Sequence, residues 1–160
     1  MEARARLVEK WLASALDPHG TKIAQRAAAD DDPYRNPVGY VLRSNMAALV
    51  AELLGAMDAQ AIDAAFANIV AVRAVQNLTV GQALGFVYAL REVLRAEMPD
   101  ADIAELDKRI DRFSLAAFAQ YLQSRERLLE LRLNERLRSF GGPPLRRHHS
   151  AGAPHRAGAP

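Results

Sequence analysis

Residues 103–140 read IAELDKRIDRFSLAAFAQYLQSRERLLELRLNERLRSF, without a glycine or proline. Ile103, Leu106, Ile110, Phe113, Ala117, Tyr121, Ser124, Leu128 and Leu131 recur at a spacing near 3.5, the signature of a helix with one apolar face. Asp102-Ile103-Ala104-Glu105 supplies a start signal and Gly141-Gly142-Pro143-Pro144 a stop. An unbroken helix of roughly 36 residues is about 54 Å long. A domain of this size is only ~30–35 Å across. The spacing therefore predicts one of two things: a kink near Phe113-Ser114, or a C-terminal half that projects and needs a partner. Leu122, Leu129, Leu133 and Leu137 are placed to cover such a partner, flanked by interspersed Arg and Glu as in a coiled coil.

Working back toward the N-terminus, the same period recurs. Leu7, Val8, Trp11, Leu12 and Ala15 predict a first helix over 2–16, closed by Asp17-Pro18-His19-Gly20. A short helix is expected over 22–29, then a polar loop over 30–35. Asn36 followed by Pro37 is an N-cap with proline at the first helical position. The helix it opens takes Val38, Val41, Leu42, Leu49, Leu53 and Leu54 as its core face. After a turn over 55–58, Ile62, Phe66, Ile69 and Val72 mark a helix over 59–76. Thr79-Val80-Gly81-Gln82 has capping-box spacing and opens a helix through Met98, which Pro99-Asp100 ends. The expected architecture is all-α: one bundle of five to six helices over 1–140, followed by a disordered Gly/Pro/Arg/His tail over 141–160.

Composition narrows the function classes. Half of the 160 residues are apolar but only 6% are aromatic, so the core must be built from Ala, Leu, Val and Ile. Helices suit that material better than strands. The chain has no cysteine, which excludes a disulfide scaffold and thiolate metal sites. Its formal net charge is +2, but the last twenty residues contribute three arginines and no acid. The body is thus nearly neutral, with no general attraction to nucleic acid. No run approaches the ~20 apolar residues of a membrane span, and the N-terminus lacks the apolar core of a signal peptide. A cytoplasmic protein is expected.

Three polar islands interrupt the apolar stripes: Asn36-Pro37-Val38-Gly39-Tyr40, Arg73-Ala74-Val75-Gln76, and Tyr121-Leu122-Gln123-Ser124-Arg125-Glu126-Arg127. Arg73 and Gln76 prolong the Ile62, Phe66, Ile69 stripe, where a charge is costly unless partnered. Arg73 therefore holds a carboxylate or anionic ligand, makes a structural ion pair with Glu126 or Glu92, or caps the carbonyls at the end of its own helix. Tyr121 lies one turn before Arg125 and is placed to face Arg73 across a bundle. Arg73, Gln76, Tyr121, Arg125 and Glu126 form the candidate network for a ligand or partner. Asn36, Pro37, Gly39, Thr79 and Gln82 are expected to be structural: caps, and for Gly39 a close helix approach. His19 and the tail's His148, His149 and His155 lack supporting ligands, and no histidine falls on a predicted helix. No phosphate loop, catalytic triad or calcium loop is present. Neither a cofactor nor a metal is expected, and catalysis is not.

The islands, taken in order, resemble the N-terminal domain family of the RsbT co-antagonist RsbRD over roughly residues 5–138. The resemblance rests on Asn36 to Gly39, on Arg73 to Gln76, on Gln82-Ala83-Leu84-Gly85-Phe86, and on Ala117-Phe118-Ala119-Gln120-Tyr121 leading to Arg125-Glu126. It implies a helical sensory or regulatory input domain of bacterial stress-type signalling, acting through a protein partner or as a homodimer. Such domains precede a STAS segment in a stressosome. The expectation here is a stand-alone version, without that segment, its phosphoacceptor threonine or a helix-turn-helix. Stand-alone versions are also associated with dissimilatory sulfur metabolism. The alternative expectation is a carrier or sensor of a small anionic molecule, with its pocket between helices and Arg73 or Arg125 as anchor.

Overall fold

The computed structural model describes residues 2–16, 32–74 and 78–140. The expected helix over 22–29, residues 75–77 and the tail from Gly141 lie outside the described residues. Among those described there are five α-helices and no strand: α1 Glu2–Leu16, α2 Pro37–Leu53, α3 Ala59–Ala74, α4 Val80–Glu97 and α5 Ile103–Phe140.

The helix starts are set by side chains. The Asn36 carboxamide oxygen accepts from Gly39 N–H at 3.0 Å with Pro37 at the first position of α2. The Thr79 hydroxyl accepts from Gln82 N–H at 3.3 Å, while the Gln82 side chain accepts from Thr79 N–H at 3.0 Å, a complete capping box. Asp58 and Asp102 cap α3 and α5 in one direction, their carboxylates accepting from Ala61 N–H at 2.8 Å and Glu105 N–H at 3.1 Å. The end of α2 is closed from a distance: Arg109 of α5 donates to the carbonyls of Leu53 and Gly55, each at 2.9 Å. Those are carbonyls that a helix C-terminus leaves without backbone partners.

Packing arranges the helices as a ring in the order α1, α2, α3, α5, α4 and back to α1. The consecutive helices α3 and α4 each pack more closely on α5 than on each other, and meet directly at Phe66–Phe86 and at Arg73. Each helix turns its periodic face inward. Trp11, Leu12, Leu49, Phe66, Leu90 and Phe113 are all fully buried. The few aromatics form a chain through the centre. Trp11 stacks on Phe86 with centroids 5.9 Å apart, Phe86 meets Phe66 at 6.3 Å, and Phe66 meets Phe113 edge-on at 5.4 Å. On α2 the buried stripe is Gly39, Leu42, Met46, Leu49, Val50 and Leu53, whereas Val38 is exposed and Val41 only half-buried. The expected face was thus rotated by a residue at its start.

Of the two expectations for the last helix, the break near Phe113-Ser114 is not found and the C-terminal half projects. The helix α5 is continuous for 38 residues, about 57 Å. At Ser114 the hydroxyl donates to Ile110 C=O at 3.0 Å without ending the helix. Its inward face is buried through Tyr121. Beyond that no described residue is buried, and every residue from Leu129 to Ser139 is exposed.

Ion pairs tie the outer edges of the ring. Glu97, in the last turn of α4, accepts a hydrogen bond from Lys10 of α1 and lies 3.6 Å from Arg6. The Lys10 hydrogen bond holds the Glu97 carboxyl below the usual glutamate range. Partial burial opposes this, and the charges of Lys10 and Arg6 add to it. A pKa lower in the folded than in the unfolded chain stabilises fully above the ordinary value of about 4.3, and the gain is lost as pH falls through the folded value. The expected result is a wild-type melting temperature above that of Glu97→Gln near pH 6, the difference closing in stronger acid. A gap that does not depend on pH would show that the carboxylate charge is not what stabilises this edge.

Candidate functional site

Arg73 sits in the last turn of α3 and is 4% exposed. The sequence left three roles open for it. The geometry differs from all three: the side chain leaves its own helix and bonds to main-chain carbonyls of two others. Nε donates to Ala83 C=O at 2.8 Å, Nη2 to Gln82 C=O at 2.8 Å and Nη1 to Ala15 C=O at 3.3 Å. Its guanidinium carbon lies 5.2 Å from the centre of the Phe86 ring. One planar fork thus ties the end of α3 to the first turn of α4 and the last turn of α1, which a point-like ammonium could not do. Burial pulls its pKa below the ordinary arginine value, yet arginine still keeps its charge. That charge is met by carbonyl dipoles and an aromatic face. Among the described residues Arg73 has no ion pair with Glu126 or Glu92, and Glu92 pairs with Arg95 at 3.3 Å.

Of the other members of the candidate network, Tyr121 is buried and packs with Val70 of α3 and Ala83 of α4. The structure therefore brings Arg73 and Tyr121 to the same residue, Ala83. Gln76 lies outside the described residues. Arg125 and Glu126 stand one turn beyond Tyr121, half-buried and exposed respectively, on the part of α5 that has left the bundle. Neither bonds to Arg73. Asn36, Pro37, Thr79 and Gln82 are caps, as above, and Gly39 is buried in the core face of α2.

A second feature was only half visible in the sequence. Leu115 (73% exposed), Phe118, Leu122, Leu129 (59% exposed), Leu133 and Leu137 form an exposed apolar stripe along α5. At 100° per residue, Leu115, Leu122, Leu129 and Leu133 lie within about 40° of one another, on the side of the helix opposite Phe113 and Ala117. The distal leucines were expected to be free. Leu115 and Phe118 were missed because the core stripe of the same helix dominates the reading; their spacing of three and four to Leu122 was the available signal. Beside them, Leu84 and Tyr88 of α4 complete an apolar groove of about 180 Å³, with Ser114 and Ala117 at its base.

No curated protein and no solved structure gives a significant match to the chain. A family model does match, over residues 5–136, a span that runs from early in α1 to the distal part of α5. This is the family described as the RsbT co-antagonist protein rsbRD N-terminal domain, and the chain belongs to it.

Proposed function

We propose that this chain is a non-catalytic sensory or regulatory domain of the cell interior that works by protein contact, with α5 as the element that makes the contact. The family is a regulatory, signalling-related one. The observation that carries the reading is the distal half of α5. It is a leucine-bearing helix of about five turns, and no described side chain between Leu122 and Ser139 is buried. A helix of that length is marginal in water without packing, and exposed leucines in such number mark an interaction surface. No helix among the described residues is long and apolar enough to cross a membrane, so lipid is not the favoured cover. A second copy of the chain is.

The input side of the proposal is the α3–α4–α5 junction. Arg73 and Tyr121 both bear on Ala83, and Tyr121 is the last buried residue before the free arm with Arg125 and Glu126. A shift at this junction would be passed along a rigid helix, as two-state coupling requires. The reading that made Arg73 the anchor of an anionic ligand is weakened by this geometry: Arg73 does line a cavity of about 260 Å³ between α1 and α4, but its fork is engaged by three carbonyls.

The test is solution mass by light scattering for the full chain and for a version ending at Ser124. A dimer that becomes a monomer on truncation is the expected result. Monomers in both cases would remove the proposal. For the junction, Arg73→Ala and Arg125→Ala are expected to shift the monomer–dimer balance. Unchanged stability, mass and partner binding in both would dismiss the network.

A further inference from the structure

We infer that the α4–α5 groove receives the distal half of α5 from a second copy, so that the two α5 helices pair antiparallel across a two-fold axis. This deepens the self-association reading and rests on it. Three observations favour this geometry.

The first is length. The part of α5 packed in the bundle, residues 103–121, and the free part, residues 122–140, are equal at 19 residues each, about 28 Å. With the pair centred between Arg125 and Glu126, residues 130–140 of each copy lie along 111–121 of the other copy's packed half, and residues 122–129 of the two copies lie along each other, so the whole free half is covered. In a parallel pair the two arms would cover only each other, away from both bodies.

The second is the pattern of the stripe. It consists of a proximal set, Leu115, Phe118 and Leu122, and a distal set, Leu129, Leu133 and Leu137. Between them on that side of the helix stands the charged pair Arg125-Glu126. Antiparallel pairing centred on that pair lays each distal set over the other copy's proximal set and groove, with Phe118 near the second copy's Leu133. It also brings Glu126 within reach of the second copy's Arg125, reciprocally. A parallel pair in register would instead set Glu126 beside Glu126 on the apolar seam, a like-charge contact that costs stability.

The third is area. The six stripe residues and Tyr88 expose surface equal to about four whole side chains, on the order of 600–800 Å² per copy. That exceeds the largest apolar patch of most monomers and approaches the ~800 Å² that each partner gives to a standard interface. An isologous contact uses the same patch on both copies, as the reciprocal stripe does.

Because the chain has no cysteine, introduced ones report without background. Phe118→Cys and Leu133→Cys chains, both changed at exposed sites, are mixed in equal amounts, oxidised and read by intact mass, alongside light scattering of the wild-type chain. The expected result is a wild-type dimer and a disulfide between positions 118 and 133 of different copies as the dominant cross-link. A dimer giving only 133–133 and 118–118 links, or no 118–133 link, overturns the antiparallel docking and leaves self-association standing. A monomeric wild-type chain overturns self-association and the docking with it. As a second readout, Arg125→Glu and Glu126→Arg are each expected to weaken dimerisation several-fold, and the double reversal to restore it. Failure of the double reversal to restore it counts against the pairing.

Discussion

Replacing Trp11 with alanine is expected to lower the unfolding free energy by about 3–5 kcal/mol, the range for removing a large core aromatic. Trp11 is fully buried, donates from its indole N–H to Phe86 C=O at 2.6 Å and stacks on the Phe86 ring. That ring is the hub of the core. Phe66 touches it from α3, and Phe66 in turn meets Phe113 of α5. The cavity left by alanine would lie where α1 closes the ring onto α4. The surrounding helices are fixed by their other neighbours and could collapse only partly. A domain of this size has a total stability of about 5–15 kcal/mol, so the variant should be partly unfolded at physiological temperature. Urea unfolding followed by far-ultraviolet circular dichroism is the measurement, because Trp11 is the chain's single tryptophan and its fluorescence goes with it. Trp11→Phe keeps most of the buried ring and loses the hydrogen bond. Its cost should be nearer 1–2 kcal/mol, which separates burial from bonding. A Trp11→Ala loss under about 1 kcal/mol would mean the aromatic chain is not the centre of the fold.

The second large effect is expected at Arg73. Arg73→Met fills similar space without a charge and should cost about 2–4 kcal/mol. Three charge-assisted bonds and a contact with an aromatic face are lost, offset by the relief of a buried charge. Arg73→Lys should be at least as damaging, although it keeps the charge. One ammonium cannot span carbonyls on both α1 and α4, and its burial would no longer be compensated. The ordering of the two variants is the informative result. A lysine variant within about 0.5 kcal/mol of wild type would show that positive charge, and not the planar fork, is what the position requires. That outcome would return Arg73 to consideration as an anion site.

The contrast between these two residues shows what the sequence made legible. Trp11 was placed in the core by its spacing with Leu7, Val8, Leu12 and Ala15, and all five are buried. The caps at Asn36 and Thr79 were equally readable, since a cap joins side chain to backbone within three residues. Arg73 announced itself as anomalous, but not what it bonds. Its acceptors are main-chain carbonyls, which every residue carries and no letter of the sequence reveals. The order of helices around the ring was hidden for a related reason. Periodicity tells which face of a helix is apolar and not which neighbour that face meets. On α2, glycine carries little weight in an apolar pattern. Gly39 therefore failed to signal that the buried stripe runs through it and Met46, and not through Val38. On α5 the opposite occurred: two apolar stripes share one helix, and the stronger one concealed the proximal half of the other.

The position of α5 between α3 and α4 bears on how the chain is made. Synthesis delivers α1 to α4 before α5, yet α3 and α4 each pack far more closely on α5 than on each other. Until residues 103–121 have left the ribosome, the faces of Phe66, Ile69, Phe86 and Leu90 have no complete wall to close against. Domains generally fold as units during translation, and transiently exposed apolar surface is what chaperones capture. Closure of this core is therefore expected only once residues 103–121 have emerged, and a chain stalled before Ile103 is expected to expose that apolar surface and not to form a shorter version of the fold.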